Sequence, residues 1–213
     1  MTFDRISIFG LGRVGLVTAT FLAVKGYKVI GIDRDHERLQ QVRNAEAPFF
    51  EHGLDERLRE VVGNGKLSVT NDHISNATSD VAFITVGTPS KRDRSIDLIS
   101  VRDAAAMIGR SLRDTNSEQL IVIKSTVTPG TARKIVKPIL QRESGKICGR
   151  HFGLCSNPEF LREGHALHDA EFPDRIIIGG DDDAAINRLE ELYKELHKEN
   201  IPPIIKTSHE NAE

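Results

Sequence analysis

Two carboxylates four residues apart, in Ser156-Asn157-Pro158-Glu159-Phe160-Leu161-Arg162-Glu163-Gly164, form the most pointed chemical feature of this 213-residue chain. Pro158 disfavours the helical state at Asn157 and suits a first helical position, so the stretch predicts a helix over 159–168. On such a helix Glu159 and Glu163 would lie one above the other on a single face. The pair would then either compensate the helix dipole as solvated charge or present an acid and a base to a substrate.

A second constellation is Gly10-Leu11-Gly12-Arg13-Val14-Gly15, directly after the apolar run RISIF and ahead of Leu16, Val17, Ala19 and Phe21. In this spacing Gly10 allows a tight turn, Gly12 lets backbone approach a pyrophosphate, and Gly15 permits close packing of helix on strand. The helix N-terminus then offers free N–H groups to the phosphates. Asp33 ends the next strand, where a carboxylate can bind the ribose hydroxyls of NAD. Arg34 beside it leaves open a 2′-phosphate, and hence NADP. The plainer alternative is a glycine turn that serves packing alone.

Two more loops, Val86-Gly87-Thr88-Pro89-Ser90 and Ser125-Thr126-Val127-Thr128-Pro129-Gly130, each follow an apolar strand. Loops at the carboxyl ends of strands in an open α/β sheet line one crevice, so these two, the glycine turn and the Asn157–Gly164 stretch are expected to share an edge.

The elements that must position these groups alternate short apolar runs with longer amphipathic ones, the pattern of βαβ units. Strands are expected near 5–9, 28–32, 67–69, 81–86, 120–124, 152–155, 175–178 and 203–206. Helices are expected near 14–25, 35–43, 54–62, 99–113, 130–142, 159–168 and 183–198. In the last of these Ile186, Leu189, Leu192, Tyr193 and Leu196 read as a core stripe. The fold class is α/β, a Rossmann-like doubly wound, mostly parallel sheet with helices on both faces, in one domain spanning 1–213. The closing KTSHENAE reads as an end without helix, strand or cap.

Composition excludes several classes. A net charge of -2 with no single-sign run argues against a nucleic-acid or anionic-membrane partner. No apolar run approaches bilayer length and the start has no signal-peptide pattern, so a cytoplasmic location is expected. Cys148 and Cys155 are too few for a disulfide framework or thiolate cage, and Cys155 reads as a buried spectator. His165 and His168 are spaced for one helix face, but no further Cys/His/Asp cluster completes a site, so no metal is expected.

The blocks GLGRVGL, GIDRDHERLQQVRNAEAPFFEHGLDERL, VGTPSKRDRSIDL, KSTVTPGT and SNPEFLREGHALHD, in this order, resemble the UDP-glucose/GDP-mannose dehydrogenase family. The resemblance covers the chain from its first strand onward. It implies oxidation of the C6 alcohol of a nucleotide sugar to a carboxylate with two NAD. It implies NAD contacts at Gly10, Gly12, Val14, Gly15, Asp33, Arg38, Thr88, Pro89, Ser125 and Thr126, and substrate contacts at Glu159, Phe160, Leu161 and Glu163. Glu163 is assigned to holding cofactor or substrate. A carboxylate by the reacting carbon can take a proton from the water that releases the product, and Glu159 is the candidate; Lys124 and Thr126 line the same pocket.

The family's catalytic cysteine lies in a later GGxCxPKD-like segment, which this chain lacks. The resemblance therefore implies the N-terminal NAD-binding domain, cut before a central dimerisation helix and a C-terminal substrate domain, that binds NAD without turnover. Gly164 leans toward UDP-glucose among possible nucleotide-sugar substrates, and the full protein is expected to be a homodimer. A non-catalytic NAD-sensing module and another two-domain NAD-dependent dehydrogenase are the competing readings.

Overall fold

The computed structural model describes residues 3–116 and 118–213. Eight strands form one sheet: β1 (Arg5–Phe9), β2 (Lys28–Ile32), β3 (Leu67–Thr70), β4 (Val81–Ile84), β5 (Gln119–Ile123), β6 (Phe152–Ser156), β7 (Ile176–Gly180) and β8 (Ile204–Thr207). Their spatial order is β3-β2-β1-β4-β5-β6-β7-β8. Strands β1 to β6 all run parallel, which explains their near-continuous apolar character: β4 and β5 are buried at every position because helices cover both faces.

Alternate side chains of each strand feed two cores. One face carries α1 (Arg13–Val24), α3 (Leu54–Gly63) and α7 (Asp183–Leu196), whose Leu16, Leu58 and Leu189 are fully buried with Leu120 and Val122 of β5. The other face carries α4 (Ile99–Leu112), a π-helical turn (Ala132–Val136) and α5 (Lys137–Ser144), packed over Ile84, Ile121 and Ile123. The remaining helices are α2 (His36–Arg43), capped by the Asp35 carboxylate, α6 (Ala166–Glu171) and the short α8 (His209–Ala212). A 3-10 turn, His73–Thr78, has no counterpart in the hydrophobic periodicity. Its Asn76 is fully buried and bonded to Ser7, Ser111 and Gln119, so side-chain polar contacts, not an apolar stripe, hold it in place.

Two expectations are corrected, and one strand direction that the mostly parallel pattern left open is added. The helix expected over 159–168 begins only at Ala166. The Glu159 carboxylate accepts the backbone N–H of Leu161 at 2.6 Å, an Asx-like local bond that favours a turn where a helix would otherwise start. Glu159 and Glu163 are therefore not stacked on one helix face. Secondly, β7 is antiparallel to β6, with Ser156 opposite Gly179, so β7 begins beyond the end of β6 and stands as a wall beside residues 157–160. Thirdly, the closing segment is structured. Lys206 and Thr207 pair with β7, Ser208 caps α8, and the Glu213 carboxylate accepts N–H bonds from Gly130, Thr131 and Ala132 at 2.6, 3.1 and 2.7 Å.

Candidate dinucleotide and acid site

β1, β4, β5 and β6 are parallel neighbours, so the segments leaving their carboxyl ends meet at one rim. Those segments hold Gly10–Gly15, Val86–Pro89, Ser125–Gly130 and Asn157–Gly164, and the expected common edge is present.

The glycine turn separates two uses of the residue. A Cβ on Gly15 would lie 1.8 Å from the Gly10 carbonyl oxygen and 2.7 Å from Thr85 Oγ1, so Gly15 is required by the protein's own packing. Gly10 adopts φ +96°, which disfavours any side chain. A Cβ on Gly12 would meet no protein atom within 4 Å, so the protein's own packing does not require glycine there. Gly12 is the N-cap of α1 and supplies no side-chain cap, leaving the first N–H groups of the helix to an external anion.

Beside the turn lies a cleft of about 280 Å³ lined by Gly10, Gly12, Asp33, Arg34, Arg38, Thr85 and Gly87 among others. Asp33 is buried at its floor. Its Oδ2 accepts from the Leu11 N–H at 2.6 Å and from Arg38 Nη1 at 3.1 Å, and its Oδ1 from the Asp35 N–H at 3.0 Å. Those bonds lock the carboxylate at the end of β2, where the sequence places the ribose acceptor, and Arg38 acts as its partner. Val14 follows on α1. The next two loops are stitched together: Thr88 Oγ1 donates to the Thr126 carbonyl at 2.8 Å and Ser125 Oγ to the Val86 carbonyl at 2.7 Å. Thr88, Pro89, Ser125 and Thr126 thus form one surface, with Thr126 and Pro89 exposed.

A second cavity, about 340 Å³, opens beside residues 157–162 and is lined by Lys124, Asn157, Glu159, Phe160, Leu161, Phe21 and Tyr193 among others. Lys124 Nζ donates to Asn157 Oδ1 at 3.0 Å and lies 3.4 Å from Tyr193 Oη; the Tyr193 hydroxyl also donates to Asn157 Oδ1. Asn157 Nδ2 donates to the Ile177 carbonyl of the β7 wall at 2.8 Å. Burial pulls the Lys124 ammonium down to about 8, although the nearby Glu159 carboxylate acts to raise it. One Glu159 oxygen is held by the Leu161 N–H; the other makes no hydrogen bond among the described residues. Phe160 is 43% exposed, under the Arg175 guanidinium at 4.2 Å, and Leu161 packs on the core.

Glu163 lies apart from this cavity. Its side chain is 79% exposed and pairs with Arg13 Nη2 of the glycine turn at 2.8 Å. The sequence reading missed Tyr193, whose place in an apolar stripe hid a hydroxyl that reaches the site, as well as Arg13, Glu51 and Asn157. For Glu51 the one available signal was an acid directly after the apolar run Pro48-Phe49-Phe50. Cys155 is buried as expected, and burial pushes its thiol up to about 12. No group of His, Cys, Asp and Glu able to hold a metal ion occurs among the described residues.

A doubly wound sheet with a glycine turn opening α1 and a carboxylate at the end of β2 defines a dinucleotide-binding domain. Residues 4–197 match the NAD binding domain of the UDP-glucose/GDP-mannose dehydrogenase family, and the chain belongs to that family, with NAD as its cofactor. The GDP-mannose 6-dehydrogenase of Pseudomonas putida is 42% identical over 210 residues, covering 98% of this chain and 47% of the relative. The UDP-glucose 6-dehydrogenase TuaD of Bacillus subtilis is 40% identical over 211 residues, covering 98% and 43%. The crystal structure of a GDP-mannose dehydrogenase ternary complex from Pseudomonas aeruginosa superposes with a TM-score of 0.92 at 39% identity, covering 98% of this chain and 47% of that one. The chain spans about half the length of the curated relatives it matches.

Proposed function

We propose that this chain is the NAD-binding half of an enzyme that oxidises the C6 alcohol of a nucleotide sugar to the uronate. The observation that carries the reading is the convergence, on one rim, of the glycine turn with Asp33 and a cavity holding Glu159 and Lys124. NAD, bound once for each of two successive steps, would supply the two-electron acceptor that each needs, four electrons in all from alcohol to carboxylate. Gly10, Gly12, Val14 and Gly15 cradle its phosphates, Asp33 with Arg38 takes the ribose, and Thr88, Pro89, Ser125 and Thr126 face its far end.

The chain's own residues handle protons. Glu159, one oxygen fixed by the Leu161 N–H, keeps the other free to take a proton from water at the reacting carbon. Lys124, oriented by Asn157 and Tyr193 and pulled down to about 8, can hold or release a proton close to neutral pH. Phe160 and Leu161 form the lip that receives the sugar, and the exposed Glu163, paired with Arg13 of the glycine turn, holds cofactor or substrate from outside the cavity. A cysteine nucleophile outside residues 1–213 completes turnover, in a homodimeric protein. Gly164 leans toward UDP-glucose; the similarity to GDP-mannose 6-dehydrogenases supports GDP-mannose equally.

The test is NADH titration of this chain, together with oxidation of UDP-glucose and of GDP-mannose by the gene's complete product. Micromolar to millimolar NADH binding is expected, with oxidation of one of the two sugars that Glu159→Gln slows at least tenfold. Absence of NADH binding at millimolar concentration in a folded sample, or oxidation of neither sugar, overturns the proposal.

A further inference from the structure

The segment between α2 and α3 belongs to the family-like blocks, yet neither the cofactor nor the acid reading uses it. Its Glu51 is a carboxylate with a fully buried side chain. A buried charge persists only where it is paired and hydrogen-bonded. Glu51 finds its partners more than a hundred residues away: Oε2 accepts the Gly164 N–H at 3.1 Å and Oε1 the Ala166 N–H at 2.8 Å. It therefore fixes the end of the acid loop and the start of α6.

Arg13 grips the same two segments from the glycine turn. Its guanidinium donates to the Phe50 carbonyl at 3.1 Å, stacks on Phe49 at 4.7 Å, lies 3.8 Å from Glu51 and pairs with Glu163 at 2.8 Å. Arg13 directly follows Gly12 and opens α1, so whatever orders the turn orders the base of this side chain. We propose that Arg13 and Glu51 are positioning residues that couple dinucleotide binding at the glycine turn to the placement of the acid loop carrying Glu159. The inference rests on the cofactor and Glu159 readings above.

Coupling of this kind is reciprocal. If NADH favours the fixed loop by a factor α, hydrogen exchange through the open loop slows by α when NADH binds. A variant that loses the coupling loses that slowing, and its NADH affinity falls by the same factor. A side chain with a merely structural role behaves differently. Its loss speeds exchange in the free protein but leaves both α and the affinity nearly unchanged while the loop stays mostly closed.

The experiment is hydrogen–deuterium exchange of peptides covering 157–166, with and without saturating NADH, alongside NADH affinity. It compares the wild-type protein with Glu51→Gln and Arg13→Met. NADH is expected to slow wild-type exchange by about fivefold to tenfold, in the usual range for coupled sites. In both variants the slowing should drop below about twofold, with an affinity loss of matching size. Arg13 is only half-buried, so Arg13→Met carries the test should Glu51→Gln not fold. Wild-type binding without slowing, or variants that keep the wild-type factor, overturns the coupling and leaves the cofactor reading standing. Failure of the wild-type protein to bind NADH overturns both.

Discussion

The second and third glycines of the turn, Gly12 and Gly15, should fail in opposite ways when each becomes alanine. At Gly15 the new methyl would sit 1.8 Å from the Gly10 carbonyl oxygen. The closest ordinary C···O approach is about 3.3 Å, so the turn and α1 must part by roughly 1.5 Å. α1 is buried from Gly15 to Ala23, and overpacking there costs about 1–3 kcal/mol or more. For a chain of this size that lowers the melting temperature by roughly 2–4 °C per kcal/mol, hence by up to about 10 °C. At Gly12 the backbone has φ -66° and ψ -170°, which alanine adopts readily, and no protein atom lies within 4 Å of its Cβ. The free protein should therefore change by less than about 1 kcal/mol, the small N-cap difference between glycine and alanine. The same methyl would stand where the pyrophosphate approaches, and NADH affinity should fall at least about tenfold, or 1.4 kcal/mol. Differential scanning fluorimetry and NADH fluorescence titration on the two variants read both quantities. The reasoning is refuted if Gly12→Ala melts as early as Gly15→Ala, or binds NADH as tightly as the wild type.

Two further outcomes concern titration. Lys124 should titrate near 8, followed through the 13C shift of its Cε, and Glu159→Gln should lower that midpoint by removing the carboxylate that acts to raise it. The folded-state value lies below the usual 10.5, so the unfolded chain holds more protons between the two, and stability should rise with pH across that window in the wild type but not in Lys124→Met. An ordinary Lys124 titration, or one that ignores Glu159→Gln, would contradict the cavity assignment. The Arg162 guanidinium beside Asp169 pulls its carboxyl from 3.8 to about 2, so its stabilisation is present above 3.8 and lost as pH falls toward 2. Arg162 is 71% exposed, so solvent screens the pair. The unfolding free-energy gap between wild type and Asp169→Asn should shrink on acidification below about pH 4, and a pH-independent gap would count against the pair.

The sheet was legible because strands buried on both faces are written as nearly unbroken apolar runs, and each of the eight lies within two residues of its expected place. The glycine turn and Asp33 were legible because their conformational and charge demands are local. The acid loop was not. Pro158 announces a helix, and the competing local bond from the Leu161 N–H to the Glu159 side chain is one that residue spacing alone does not distinguish from a helical first turn. Glu51, Arg13 and Tyr193 escaped for a related reason: their partners lie far along the chain, and nothing in residue spacing marks an acid that will be buried or a stripe tyrosine whose hydroxyl will reach a lysine. KTSHENAE looked featureless because its anchors are Gly130, Thr131 and Ala132.

Those anchors bear on where a diphosphate can settle. Each helix start is a weak positive pole, and several compete for the same negatively charged guest. The run from Ala132 is already neutralised by Glu213, α6 by Glu51 and α2 by Asp35. Two of the described helices, α1 and α3, open at a glycine without a side-chain cap, but α3 carries Asp55 and Glu56 in its first turn whereas α1 has no acid there. The molecule thus supplies its own anions at several helix starts and sets none at that of α1, the start that a diphosphate would meet with least repulsion.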